Sequence, residues 1–338
     1  MEADQSHFNV VVVGAGISGI GAGYHLQKQC PNKSFVILEG RETFGGTWDL
    51  FRYPGIRSDS DMHTMGFRFK PWIDERFIAD GPSIMNYLDE TISENNLKDK
   101  IKYQHKVLTS SWSSSESKWT LEVENIKSGK IDKYTCNFLM CCGGYYNYEE
   151  GYNPAIKNQD QFNGPIIHPQ KWPEDLNYQN KKVVIIGSGA TAVTIVPAMA
   201  DDVEHITMLQ RSPTYFMAAP DKDMIGNFLK KIFPQKTAYF LTRWKNILMG
   251  HYLYNRCIKN PEKVKEMLIN GVRDHLGKDY DIETHFTPRY KPWDERLCFV
   301  PNADFFEAMN AGKASVVTDH IDEFTETGIK LNSGKELK

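Results

Sequence analysis

The sequence predicts an α/β chain of two Rossmann-like units in tandem, the second carrying a helical insert. Three observations predict it. Short β-branched runs at residues 9–13 and 182–186, both suited to buried strands, each feed a glycine-rich turn, Gly14-Ala15-Gly16-Ile17-Ser18-Gly19 and Gly187-Ser188-Gly189-Ala190-Thr191-Ala192. Each turn opens a segment of helical spacing and is followed by another apolar strand pattern, at 34–38 and 205–209. Each of those strands runs out into a charged residue at a similar distance: Glu39 stands twenty-five residues after Gly14, and Arg211 twenty-four after Gly187.

Each element of the turn has a physical reason. The first glycine of each turn permits a tight bend, the second lets the backbone approach a pyrophosphate, and the third lets helix and strand pack closely. Ala192 stands in the third position of the second turn, which the pattern tolerates. The helix that follows points free N–H groups and its positive dipole end at the phosphates. A carboxylate at position 39 accepts hydrogen bonds from a ribose 2′-OH and repels a 2′-phosphate. A guanidinium at Arg211, beside Ser212, can take a 2′-phosphate bidentately, which its strand-end position favours over the alternative of a surface salt bridge.

Length and composition agree with two domains. At 338 residues, 41% hydrophobic and 25% charged with net charge −3, the chain is an ordinary globular one with no electrostatic case for nucleic-acid binding. The boundaries fall near 1–150 and 151–338. The N-terminus lacks a basic segment and a long apolar run, so a cytoplasmic location is expected. The six cysteines form no C-x-x-C pair and no zinc-ligand spacing, which argues for free thiols and no metal.

Between the turns, Pro82-Ser83 followed by Ile84, Tyr87, Leu88 and Ile92 reads as a capped amphipathic helix, and 101–124 as short strands with a hairpin in which Val107, Trp112 and Trp119 pack. Residues 134–142 read as a further apolar strand. Beyond the second turn, 221–277 is helical in pattern. Leu241, Trp244, Leu248 and Tyr252 form an apolar stripe with Lys230, Lys231, Lys236, Arg243, Lys245 and Arg256 around it. A helical insert packed on the sheet is the favoured reading, and a surface touching anionic lipid the alternative.

The most specific stretch lies just before the second turn. Phe162, Gly164, His168, Trp172 and Pro173 match the F-x-G-x-x-x-H-x-x-x-W-P fingerprint of type I Baeyer–Villiger monooxygenases. The chain resembles that family and, more broadly, the flavin-containing monooxygenases, nearest to their bacterial ethionamide-activating branch. Read without the resemblance, the segment is a linker whose Phe and Trp plug an interface and whose His is a satisfied polar residue.

The resemblance implies the following. Gly45-Gly46-Thr47-Trp48 is the step against a flavin, which makes the first turn the FAD site and the second the NADPH site. A backbone group at Val107 meets the adenine end of FAD. Arg52-Tyr53-Pro54-Gly55-Ile56-Arg57-Ser58-Asp59 resembles the loop bearing an active-site aspartate, with Asp59 in that position. Pro292-Trp293-Asp294-Glu295-Arg296-Leu297-Cys298 matches the segment bearing the catalytic arginine, Arg296. Glu295 departs from a lysine that many members use on the NADPH phosphate. The implied reaction uses dioxygen and a flavin peroxide to convert a ketone into an ester or lactone, with Arg296 stabilising negative charge and Asp59 orienting it. Two other readings stand beside it: oxygenation of sulfur or nitrogen in a sulfide or thioamide, and an inactive, C-terminally truncated flavoprotein. The chain stops in a hairpin over 324–338, so the resemblance implies that the FAD domain is incomplete.

Overall fold

The valines at 10–13 form the inner end of β1 (Ser6–Val13), with Val11 and Val12 fully buried. The computed structural model describes residues 6–338. Two units emerge, Met1–Phe51 with Gly81–Gly151, and Arg52–Asp80 with Tyr152–Lys338. The sequence places 1–150 together. In the structure the segment Arg52–Asp80 packs with the second unit instead.

In the first unit β1 is followed by α1 (Ile17–Gln29), β2 (Phe35–Leu38) and α2 (Thr47–Leu50). The one-turn helix α3 (Met62–Met65) belongs to the Arg52–Asp80 segment. The first unit continues with α4 (Gly81–Glu94), β3 (Ile101–Lys102), β4 (His105–Ser113), β5 (Lys118–Asn125) and β6 (Lys130–Cys141). Its sheet has the order β3-β2-β1-β6-β5-β4. Strands β3, β2, β1 and β6 are parallel, and the β4-β5-β6 meander is antiparallel. Val12 pairs with Ile37 and with Met140, so β1 is central and apolar along its inner end, as a strand flanked on both sides must be. Val11, Val36, Leu38, Leu121, Val123, Tyr134 and Cys136 form the core on one side. Helix α4 buries Ile84, Tyr87, Leu88, Thr91 and Ile92, a 3.6-period stripe in which Ile84 and Leu88 each contribute roughly 1.5–3 kcal/mol on full burial. Trp112 departs from expectation. It lies 48% exposed on the meander, its ring 5.5 Å from that of Trp119, because the outer strands have no layer over that face.

The second unit runs through β7 (Lys182–Ile186), α5 (Ala190–Met199), β8 (His205–Gln210), β9 (Tyr215–Ala219), α6 (Met224–Ile232), α7 (Gln235–Lys259), α8 (Pro261–Leu276) and α9 (Ile282–Phe286). It closes with β10 (Leu297–Pro301), α10 (Asp304–Asn310), β11 (Ala314–Thr318), β12 (Ile321–Thr325), β13 (Gly328–Leu331) and β14 (Glu336–Leu337). A parallel sheet β11-β8-β7 carries the second turn, a parallel pair joins β9 to β10, and β12-β13-β14 is antiparallel. Rings of Phe216, Phe286, Phe305 and Phe306 pack at centroid distances of 5.2–6.1 Å and knit β9, α9 and α10 together.

Two expectations for this unit are corrected. Strand β7 is an edge strand rather than a buried one, and Ile186 at its end is 49% exposed. The α6–α8 insert exists, but the stripe of Leu241, Trp244, Leu248 and Tyr252 does not pack on the sheet. These residues are 37–63% exposed, because α7 turns Ala238, Tyr239, Thr242 and Cys257 inward instead. Among the described residues no helix is long and apolar enough to cross a membrane.

Candidate active site

The first turn is built by close approach. The Gly14 N–H donates to the Leu38 carbonyl at 2.8 Å, and at φ +99° a side chain on Gly14 would strike the Cys142 carbonyl oxygen at 2.6 Å. A β-carbon on Gly19 would lie 1.8 Å from the Gly14 carbonyl oxygen, so helix and turn touch backbone to backbone. Gly45 donates to the Ala15 carbonyl at 3.0 Å, which brings the second glycine step against the first. A β-carbon on Gly16 would meet only Gly46, at 3.7 Å, so the mouth of the turn stays open. Helix α1 begins with no side-chain cap and no acidic residue in its first turn, leaving N–H groups around Ile17, the exposed Ser18 and Gly19 free for an anion.

Glu39 stands at the end of β2, only 5% exposed. Its Oε2 accepts from the Ala15 N–H at 2.7 Å and its Oε1 from the Arg41 N–H at 2.9 Å. A carboxylate has about four acceptor sites, so lone pairs remain for a ribose hydroxyl. Sequence reasoning missed the support around it. Arg41 bridges to Asp49 at 2.7 Å, donates to the Gly46 carbonyl at 3.3 Å, and lies 5.8 Å from the Tyr148 ring centroid. The Tyr148 hydroxyl hydrogen-bonds Thr47. Burial raises its pKa, with Glu39 adding and Thr47 and Arg41 opposing. Trp48 sits half-buried in α2. At Val107 the β4–β5 pairing slips register, which frees backbone at that point of the strand.

The second turn is looser. Gly187, at φ +125°, donates to the Leu209 carbonyl at 2.8 Å, yet a β-carbon there would meet nothing within 4 Å. Ser188 is buried, and its hydroxyl reaches the Ser212 carbonyl at 3.5 Å. Helix α5 starts at Ala190 after Gly189 with no side-chain cap and no acid in its first turn, and Ala192 is buried against the sheet. Arg211 is exposed at the end of β8, and among the described residues its side chain makes no ion pair or hydrogen bond.

Arg296 lies beside the second turn. A β-carbon on Gly189 would first meet Arg296 Cδ, at 4.0 Å. The Arg296 carbonyl accepts from the Tyr290 hydroxyl at 2.7 Å and the Thr214 hydroxyl at 3.3 Å, which fixes the backbone entering β10. Next to it Cys298 is buried, and that burial pushes its thiol up to about 11, with the Arg296 charge opposing and the Asp59 charge reinforcing. Both charges are therefore within electrostatic reach of one sulfur. No salt bridge joins Asp59 to Arg296 among the described residues, and both side chains are exposed.

The loop bearing Asp59 is clamped. Tyr53 is buried and hydrogen-bonds Thr191 of the second turn. Burial raises its pKa against the Thr191 bond, with Asp59 raising and Arg57 lowering it. Gly55 at φ +74° lies against α5, where a β-carbon would be 2.5 Å from Ala198 Cβ. Arg57 forms an ion pair with Asp304 on α10, whose second contact is 3.3 Å. Ser58 is buried, with its N–H on the Ala79 carbonyl at 2.8 Å and its hydroxyl accepting from the Ala79 N–H at 3.2 Å.

The fingerprint residues make local contacts within the second unit. Phe162 packs beside Leu209, Phe324, Ile329 and Leu331, its ring 5.8 Å from that of Phe324. Gly164 leaves room for that ring, since a β-carbon would lie 2.5 Å from it. His168 Nδ1 accepts from the Gln170 N–H at 3.2 Å, and Trp172 sits edge-on to Tyr178 at 6.3 Å. Trp172 shares a shallow cleft with Arg52, Pro54 and Asp202. Pro173 is exposed. No contact joins His168 or Trp172 to Arg296 among the described residues.

Two glycine turns stand below uncapped helices, one followed by a buried acid at its strand end and one by an exposed arginine. Residues 12–78 match the NAD(P)-binding Rossmann-like domain, and residues 63–279 match the flavin-binding monooxygenase-like family. FAD-containing monooxygenase EthA of Mycobacterium tuberculosis H37Rv is 52% identical over 332 residues, covering 98% of this chain and 68% of that protein. EthA of Mycolicibacterium smegmatis is 53% identical over 332 residues, covering 98% and 67%. Among solved structures, an oxidised steroid monooxygenase bound to NADP superposes with TM-score 0.80 at 20% identity, covering 98% of this chain and 69% of that one. A cyclohexanone-bound cyclohexanone monooxygenase superposes with TM-score 0.76 at 19% identity, covering 98% and 70%. The chain belongs to the flavin-binding monooxygenase-like family and is a flavin-dependent monooxygenase.

Proposed function

We propose that the chain uses FAD and NADPH to insert one oxygen atom of dioxygen into a ketone, giving an ester or lactone. The observation that carries this reading is Arg296 beside the second turn, its Cδ 4.0 Å from where a β-carbon on Gly189 would stand. Bound FAD would supply the redox chemistry, with NADPH as the reductant and dioxygen as the oxidant.

The protein's own residues do the rest. Gly14, Gly16, Ser18, Gly19, Glu39, Gly46, Thr47, Trp48 and Val107 hold FAD, with the α1 N-terminus on its pyrophosphate and Glu39 on its ribose. Residues Gly187 to Ala192 with Arg211 and Ser212 hold NADPH, the guanidinium on the 2′-phosphate. Arg296 presents a permanent cation to negative charge developing on oxygen, and Asp59 steers it. Phe162, Gly164, His168, Trp172 and Pro173 set the course of the chain into the second unit.

The test is single-turnover oxidation by the flavin-loaded chain, with a cyclic ketone and a thioether offered separately. Arg296→Ala should leave reduction of the flavin by NADPH intact while ester formation falls by about a hundredfold or more. Unchanged ester yield in that variant would remove Arg296 from the reaction. Sulfoxide as the sole product would replace the ketone reading with sulfur oxygenation.

A further inference from the structure

The outward side of α7 is apolar along its length. Phe240, Leu241, Trp244, Ile247 and Leu248 recur at three-to-four spacing opposite the buried face of Ala238, Thr242 and Cys257, and each is 37–61% exposed. Helix α6 repeats the arrangement: Gly226 is buried, while Met224, Ile225, Phe228 and Ile232 are 55–76% exposed. Single exposed apolar residues need no explanation, but two consecutive helices with apolar outer faces do.

The charge on this hairpin identifies what covers it. Residues 224–259 contain seven Lys and Arg and no Asp or Glu, in a chain of net charge −3. Internal contacts account for part of that charge: Lys245 pairs with Asp223, Arg243 donates to the carbonyls of His63, Thr64 and Gly66, and Lys230 donates to those of Ile73 and Asp74. Lys231, Lys236 and Lys259 are exposed and make no ion pair or hydrogen bond among the described residues. An aliphatic and aromatic ridge bordered by unpaired ammonium groups suits acyl chains below and anionic headgroups above. Neither helix can cross a bilayer, so the contact is with its surface.

We propose that the α6–α7 hairpin is a membrane-surface anchor, lying in the plane of an anionic bilayer with its apolar face in the headgroup–acyl boundary. The anchor is independent of which substrate is oxygenated. It is tested by floating the full chain with vesicles of phosphatidylcholine alone, or of equal parts phosphatidylcholine and phosphatidylglycerol. The chain should float with the anionic vesicles and far less with the neutral ones, and added salt should weaken the binding. Lys231→Gln and Lys236→Gln should each lower partitioning about fivefold. A Phe240→Ser, Trp244→Ser, Leu248→Ser triple variant should abolish it while keeping the wild-type circular dichroism. Absence of flotation, or equal binding to both vesicle types, overturns the proposal. So does a wild-type dimer that ignores vesicles and that the triple variant converts to monomer, since the face would then belong to a second copy of the chain.

Discussion

The two glycine turns share a spacing but are built differently. In the first, a β-carbon on Gly14 or Gly19 would collide with backbone at 2.6 or 1.8 Å. In the second, a β-carbon on Gly187 would meet nothing within 4 Å and one on Gly189 only a flexible arginine at 4.0 Å. The strand-end residues differ in the same sense. Glu39 is buried and already bonded to two backbone N–H groups, whereas Arg211 is exposed and unengaged. The first turn has the build of a site for a resident cofactor held by a rigid backbone. The second suits a ligand that comes and goes, recognised chiefly by side chains.

The largest effect should come from forcing a side chain into the rigid turn. Gly19→Val must push helix from strand, so the purified protein should lose its flavin absorbance, and retention of flavin would break the contrast. Acid provides a second separation. His63, in the second unit, is 1% exposed with neither ring nitrogen hydrogen-bonded among the described residues. Burial lowers its pKa to about 4; Lys230 and Lys245 act in the same direction, and Asp61 and Asp223 oppose. The unfolded chain takes up this proton near pH 6.5 and the folded chain only near 4. Stability is therefore lost as pH falls from 6.5 towards 4, by roughly 3 kcal/mol in all, and levels off below. Hydrogen exchange at pH 7 and 4.5 should show the α3–α7 contact loosening first.

Smaller effects sharpen the picture. Glu39→Gln keeps one acceptor oxygen for two N–H donors, so flavin affinity should fall about 10–100-fold, equivalent to about 1.5–3 kcal/mol, by titration of the apoprotein. Gly189→Ala should leave flavin content and thermal stability unchanged while raising the KM for NADPH several-fold, because the added methyl has room in the protein but obstructs the pyrophosphate. A stability loss there would show the second turn to be as tightly built as the first.

The turns were legible in the sequence because glycine spacing and strand-end charge are local. Arg296 and Asp59 are singled out only by the family resemblance, since the chemistry proposed for them depends on contacts that no spacing reveals. The Arg57–Asp304 pair joins residues 247 positions apart, and the packing of Arg52–Asp80 on α5 is likewise tertiary. Arg41 lies two residues past Glu39 and was visible in principle, but its role emerges only when Asp49 and Tyr148 close around it. The α7 stripe shows a different limit. Periodicity announces an apolar face, and says nothing about whether that face meets the core or the outside.

We propose that the second turn selects its dinucleotide through Arg211. The direct measurement is the anaerobic rate of flavin bleaching by NADPH and by NADH, in the wild type and in Arg211→Ala. The wild type should prefer NADPH by about 10–100-fold, the worth of a charge-assisted bidentate contact, and the variant should lose that preference through NADPH alone. A preference that survives the substitution would contradict the account and move recognition of the 2′-phosphate to another residue.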